Sequence, residues 1–195
     1  MSSPKTALTG IVLAGGGSTR MGRDKASLPW GREDLLHAVL RALIPACARL
    51  IVVSNTPRDI AVPEVAVVAD IFQGCGPLGG LHAGLAATVT EYSFVAACDM
   101  PFVNGAAVSY MASAAAGFDA AVPFVDGFFH PLHAVYHRRC LASVERALLA
   151  GQRRVSDFYP GLALRRISRA ELSRFDPELL MLNSLNRPQD LPAKL

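Results

Sequence analysis

Leu8-Thr9-Gly10-Ile11-Val12-Leu13-Ala14-Gly15-Gly16-Gly17-Ser18-Thr19-Arg20-Met21-Gly22-Arg23-Asp24-Lys25 is an apolar run that passes directly into a glycine-rich loop closed by two cations. Gly15, Gly16 and Gly17 have no Cβ and adopt positive φ at little cost, so their amides can turn together toward one anion at close range. Arg20 and Lys25 then complete a cradle suited to a nucleoside triphosphate. Gly17 to Gly22 has the spacing of a Walker loop, but Arg23-Asp24 follows where Lys-Ser/Thr is required. A dinucleotide fingerprint fails too, because it needs glycine at 15, 17 and 20 and position 20 is Arg.

Sixteen of the nineteen basic residues are Arg, and Lys25 is the sole lysine away from the termini, the others being Lys5 and Lys194. A compact ammonium at the end of a glycine loop suits a phosphate oxygen better than a planar fork does. At 195 residues the chain fits one domain that buries roughly 70% of its unfolded surface. The net charge of +3 is mild and the arginines are scattered, which argues against nucleic acid and leaves anionic small molecules as partners. Cys47, Cys75, Cys98 and Cys140 form no C-x-x-C pair and no zinc spacing, as expected of reduced, buried thiols in a cytoplasm. No apolar run reaches the roughly 18 residues of a membrane span. A cytoplasmic protein without a membrane partner is expected.

Short apolar runs alternate with helical patterns. Gly10–Leu13, Leu50–Val53, Val65–Ala69, Phe94–Ala97, Ala120–Phe124 and Ala134–Tyr136 read as strands covered on both faces. Asp34 is placed to cap a helix whose apolar face is Leu35, Leu36, Val39, Leu40 and Leu43, with Pro45 ending it. Further helices are expected over 81–89, 106–116 and 141–150, the last stopped by Gly151. The pattern predicts a single-domain α/β protein, Rossmann-like, with a mostly parallel sheet and helices on both faces. Asp126-Gly127 marks a tight turn and one antiparallel insertion.

In such sheets ligands bind at the carboxyl ends of the strands, where Asn55, Asp70 and Asp99 fall. Cys98-Asp99-Met100-Pro101 ends an apolar strand with a carboxylate, and one carboxylate plus substrate phosphates is the usual way to hold Mg²⁺. Each of the three also reads as a strand-end Asx turn. Gly74 to Gly84 is a second glycine-dense segment, read as a loop that opens a helix near Leu81. Its backbone can approach a flat ligand and read a base edge. His130-Pro131 and Arg153-Arg154 follow, the arginines as a candidate phosphate clamp or as a solvated pair.

Leu13-Ala14-Gly15-Gly16 with Arg20-Met21-Gly22 and Asp24-Lys25, then Gly76-Pro77-Leu78-Gly79-Gly80, Cys98-Asp99-Met100-Pro101, His130-Pro131, Gly151-Gln152-Arg153-Arg154-Val155 and Asn186-Arg187-Pro188-Gln189-Asp190-Leu191 together resemble the molybdenum cofactor guanylyltransferases, in order and over nearly the whole chain. The first motif is shared by the wider nucleotidyltransferases, including sugar-phosphate enzymes. The resemblance implies a nucleotide-diphospho-sugar transferase-like fold that joins GMP from GTP onto the terminal phosphate of molybdopterin, or of its molybdenum complex, and releases pyrophosphate with Mg²⁺. It assigns Lys25, Arg20 and Asp99 to catalysis, with Asp99 on the metal. GTP binding falls to Leu13, Ala14, Gly15, Gly16, Lys25, Asn55, Asp70, Gly76, Pro77, Leu78, Gly79 and Asp99. His130, Arg153, Arg154 and Asn186 are assigned to molybdopterin, so the N-terminal part holds the donor and the C-terminal part the acceptor. Contact with other cofactor-biosynthesis proteins and with receiving molybdoenzymes is implied as well. The chain departs from the family in one place: Ser184 stands at the first position of the usual Asn-x-Asn, with Asn183 one residue early.

The attacking group would be a phosphate monoester with a second pKa near 6, already an anion at neutral pH, so no protein base is required. Catalysis would then rest on alignment and charge, with the amides of residues 14–17 around the triphosphate and Arg20 and Lys25 on the departing pyrophosphate. Three alternatives stand beside this reading: a relative using CTP or another phosphorylated acceptor, a noncatalytic nucleotide-binding adaptor, and an NAD-linked oxidoreductase, which Arg20 disfavours.

Overall fold

The computed structural model describes residues 7–15 and 24–185, so the expectations on Gly16, Gly17, Arg20 and Asn186 lie outside the described residues. In chain order the elements are β1 (Leu8–Leu13), β2 (Pro29–Trp30), β3 (Glu33–Asp34), α1 (Leu35–Leu43), β4 (Arg49–Val53), β5 (Val65–Val68), α2 (Gly76–Ala87) and β6 (Tyr92–Ala97). Then come α3 (Gly105–Ala114), β7 (Ala120–Val125), β8 (Phe128–Phe129), β9 (His133–His137), α4 (Leu141–Leu149), β10 (Leu164–Ile167) and α5 (Arg169–Leu172).

The main sheet runs β10-β7-β9-β6-β1-β4-β5, with β8 paired onto β7 outside that row. The β1 run is buried at all six positions and pairs in parallel with β4 and β6. Pairs β4–β5 and β10–β7 are parallel too, while β9 is antiparallel to both β6 and β7. Helices α1 and α3 pack on one face with Val12, Phe94 and Val135, and α2 and α4 on the other with Ile11, Val95 and Tyr136. This is the doubly covered, mostly parallel α/β sheet that the alternation of apolar runs predicts.

Local signals act as expected in several places. The Asp34 carboxylate accepts from the His37 amide at 2.9 Å and caps α1. Asp126 and Gly127 both take positive φ, 51° and 85°, between strands in which Val125 faces Phe128, as a two-residue hairpin requires.

Two expectations are corrected. The segment Gly76–Gly80 is not a loop before a helix: α2 begins at Gly76, with Pro77 in the first turn where its missing N–H costs nothing. Gly76 takes a φ of 61° with open space around it, whereas Gly79 and Gly84 serve close packing. A Cβ on Gly79 would stand 2.7 Å from the Phe72 carbonyl oxygen, and one on Gly84 would stand 2.5 Å from Ile11 Cγ2, so α2 lies closer to β1 than any side chain allows. Strand β5 is not covered on both faces either; at the sheet edge it leaves Ala66 and Val67 exposed. β10, with two arginines in four residues, gives no strand signal and is built by its parallel pairing with β7. Among the described residues no helix is long and apolar enough to cross a membrane.

Candidate active site

At the carboxyl ends of β1 and β6 a cavity of about 440 Å³ opens, lined among others by Leu13, Ala14, Gly15, Asp24, Lys25, Pro77, Cys98 and Asp99. That volume lies in the range of small-molecule sites, roughly 300 to 1,000 Å³. Lys25 and Asp99, 74 residues apart, meet there, Nζ donating to Oδ2 at 3.0 Å with side chains 21% and 14% exposed. Lys25 opens a short turn, Lys25–Ser27, capped by Asp24 through a bond from the Ala26 amide at 3.1 Å. Asp99 follows β6, which is tied to β1 by the Cys98 amide on the Leu13 carbonyl at 3.1 Å.

The Ala14 amide is not available to a phosphate, in contrast to the expected cradle of residues 14–17: it donates to the Val53 carbonyl at 2.9 Å. The Ala14 carbonyl in turn accepts from Arg58 at 2.8 Å. Gly15, exposed beyond it, is the first residue whose main chain faces the cavity without this tie.

Asn55 and Asp70 stand at the ends of β4 and β5 and read each other twice: the Asn55 amide donates to Asp70 Oδ2 at 3.0 Å, and the Asp70 amide donates to Asn55 Oδ1 at 2.8 Å. Burial raises the Asp70 pKa, opposed by the bond from Asn55, and Asp70 Oδ1 is buried without a partner among the described residues. Neither residue lines the cavity, and of Gly76, Pro77, Leu78 and Gly79 only Pro77 does; Leu78 is fully buried in the core.

The opposite wall is Phe129, His130, Pro131 and Leu132. Burial lowers the His130 pKa, with Asp126 opposing, so the ring is neutral at pH 7. Tyr136, itself fully buried, donates to the Pro131 carbonyl at 2.8 Å, and its hydroxyl lies 2.8 Å from that of Tyr159. Cys98 also reaches the cavity, but burial pushes its thiol up to about 12, which leaves it unreactive at neutral pH.

Arg153 and Arg154 do not meet this cavity. Both are exposed, and Arg153 donates to the neighbouring Gln152 carbonyl at 2.8 Å, so the expected phosphate clamp is not assembled around it. Sequence reasoning missed Arg58, and it missed Leu182 and Ser184, which line the cavity because the Leu185 amide donates to the Asp99 carbonyl at 2.8 Å. The departure at Ser184 from the Asn-x-Asn pattern, together with the Asn186 motif beside it, is the signal that points to that segment.

Residues 10–166 match the MobA-like NTP transferase domain. The chain belongs to this family. It is 37% identical over 184 residues to a probable molybdenum cofactor guanylyltransferase of Pelotomaculum thermopropionicum, covering 94% of this chain and 89% of that protein. To a molybdenum cofactor guanylyltransferase of Desulfosudis oleivorans it is 35% identical, covering 95% and 93%. The crystal structure of molybdopterin-guanine dinucleotide biosynthesis protein A from Archaeoglobus fulgidus superposes with a TM-score of 0.80 at 28% identity, over 94% of each chain. A cytidylyltransferase from Thermus thermophilus, 17% identical with a TM-score of 0.69 over 93% and 94%, shares the fold. This protein is thus a nucleotidyltransferase with the nucleotide-diphospho-sugar transferase fold.

Proposed function

We propose that this protein transfers GMP from GTP to the terminal phosphate of molybdopterin, forming a guanine dinucleotide and releasing pyrophosphate. The observation that carries the reading is the Lys25–Asp99 pair at the mouth of β1 and β6, beside Gly15, in a chain whose relatives bear the guanylyltransferase name.

Lys25 would neutralise charge on the departing pyrophosphate as the α–β bond breaks, and Arg20, outside the described residues, would join it. The Gly15 main chain would face the phosphates, and the Asn55–Asp70 pair, at the ends of β4 and β5 beyond the cavity lining, would orient guanosine. No group of three His, Cys, Asp or Glu capable of holding a metal ion converges among the described residues. Asp99, a carboxylate lining the cavity, would hold a cation that takes its other ligands from substrate phosphates and water, which is the habit of Mg²⁺. Such an ion would supply Lewis-acid stabilisation of the phosphoryl oxygens. The acceptor, an anion at neutral pH, would enter along the Phe129–Leu132 wall; His130, neutral there, would act as a hydrogen-bonding group and not as a cation. A cytoplasmic site of action accords with the reduced cysteines.

Purified protein supplied with molybdopterin, Mg²⁺ and each nucleoside triphosphate in turn is expected to release pyrophosphate with GTP alone. Release with CTP alone would move the protein to a cytidylyl donor, and release with none would overturn the reading.

A further inference from the structure

We propose that Arg58 is a positioning residue that sets Lys25 through Asp24; this rests on the role given to Lys25 above. Arg58 lies in the segment after β4, and its side chain is only 9% exposed. Its Nη2 donates to the Ala14 carbonyl at 2.8 Å, its Nε to Ser54 Oγ at 3.0 Å, and its Nη1 contacts Asp24 Oδ2 at 2.6 Å. A planar guanidinium held at three corners has one orientation, which a lysine's single flexible ammonium cannot reproduce.

The consequence reaches Lys25 by a short route. Asp24 uses both oxygens: Oδ2 meets Arg58, while Oδ1 accepts the Ala26 amide and caps the three-residue turn that begins at Lys25. A turn so short has only two backbone bonds of its own, from the Ser27 amide to the Asp24 carbonyl and from the Leu28 amide to the Lys25 carbonyl, each 3.1 Å, so the Asp24 side-chain cap supplies a large share of what fixes the Lys25 backbone. Arg58 also neutralises Asp24, which lines the same cavity and would otherwise compete with Asp99 for the ammonium. The same side chain ties the end of β1 to Ser54, next to Asn55, so it joins the phosphate side of the site to the nucleoside side.

With only three lysines in the chain, lysine labelled with ¹³C gives three side-chain signals, and those of Lys5 and Lys194 serve as internal controls. Arg58→Gln and Asp24→Asn, which keeps the cap acceptor and lies at a half-exposed side chain, are both expected to move the Lys25 signal and leave the other two in place. A Lys25 signal that moves in Asp99→Asn but in neither of these variants overturns the proposal. In the transfer assay Arg58→Gln is expected to lower kcat on the order of 100-fold, the scale of a small misplacement of a catalytic group, with KM for GTP little changed and Arg58→Lys intermediate. Proportional loss of GTP affinity and turnover, or loss of neither, also overturns it. If the parent protein does not use GTP, the substrate reading falls and the lysine spectrum still decides the link.

Discussion

On the β1–β6 side of the cavity Lys25 and Asp99 face each other across 3.0 Å and Arg58 braces Asp24 behind them, whereas the β7–β9 side presents Phe129, His130, Pro131 and Leu132 and carries no charge at neutral pH. The first wall can respond to charge that grows during a reaction, because preorganised ionic groups in a partly dry site cost nothing to reorient at that moment. The second wall can only shape and exclude. Its rigidity comes from a buried pair of tyrosine hydroxyls, Tyr136 and Tyr159, 2.8 Å apart, of which Tyr136 also holds the Pro131 carbonyl. Damage to the charged wall should therefore appear in turnover, and damage to the apolar wall in stability and acceptor binding.

The largest effect is expected from Asp99→Asn and Lys25→Ala. Each should cost about 2 to 4 kcal/mol in transition-state stabilisation, seen as a fall in kcat larger than any rise in KM for GTP. Asp99→Asn should also lose most of its response to Mg²⁺, since the amide keeps the shape and removes the charge. Unchanged turnover in either variant, measured as pyrophosphate release, would falsify the charged-wall assignment.

Tyr136→Phe comes next. It leaves the Pro131 carbonyl and the Tyr159 hydroxyl without their buried partner, at a cost of about 1 to 3 kcal/mol in unfolding free energy by denaturant titration. GTP binding measured by calorimetry should stay at the parental value; if it falls in step with stability, the two walls are not independent.

A third test reaches the layer behind the apolar wall. His133 is fully buried against Phe94, neither ring nitrogen has a partner among the described residues, and burial pushes its pKa from 6.5 down to about 3. Its folded pKa lies below the unfolded one, so the unfolded chain binds the extra proton first. Stability should fall as the pH drops from 6.5 toward about 3, by up to about 1.4 kcal/mol per pH unit from this group alone. His133→Leu should flatten that slope, leaving the shares of His82 and His130, whose pKa values burial also lowers, and of Glu171 and Asp119, where burial pushes the carboxylates up but hydrogen bonds outweigh it and hold them below their ordinary values. An identical slope in the variant would place the acid sensitivity elsewhere.

The smallest effect is expected from Arg153→Ala with Arg154→Ala. As exposed side chains away from the cavity they should alter the molybdopterin requirement by under about 1 kcal/mol. A larger change, read from acceptor titrations at saturating GTP, would extend the acceptor site beyond the apolar wall.

Signals that act over a few residues were legible in the sequence. The β1 run, the Asp34 cap, the Asp126–Gly127 hairpin and the placement of Asp99 at a strand end follow from burial periodicity, side-chain reach and allowed φ, all of which are local. Gly79 and Gly84 show where that logic stops. Glycine reads locally as freedom to turn, yet here it is absence of volume, used so that α2 can approach Phe72 and Ile11. Nothing within α2 names those neighbours. β10 was equally silent, since its strand state comes from β7 and not from its own arginines.

By itself the sequence determined the alternation of strands and helices, the place of Gly15 at the first strand end, and the family's set of motifs in order. Only the tertiary structure decided which of these residues meet: Lys25 with Asp99 across 74 positions, Arg58 with Ala14 across 44, and Leu185 with the Asp99 carbonyl. It likewise removed the Ala14 amide from the candidate cradle by giving it to Val53. The physical reason is that patterning and propensity act over one turn or one strand, whereas an ion pair or a shared carbonyl needs two distant segments brought within about 3 Å, and only the packed sheet sets that distance.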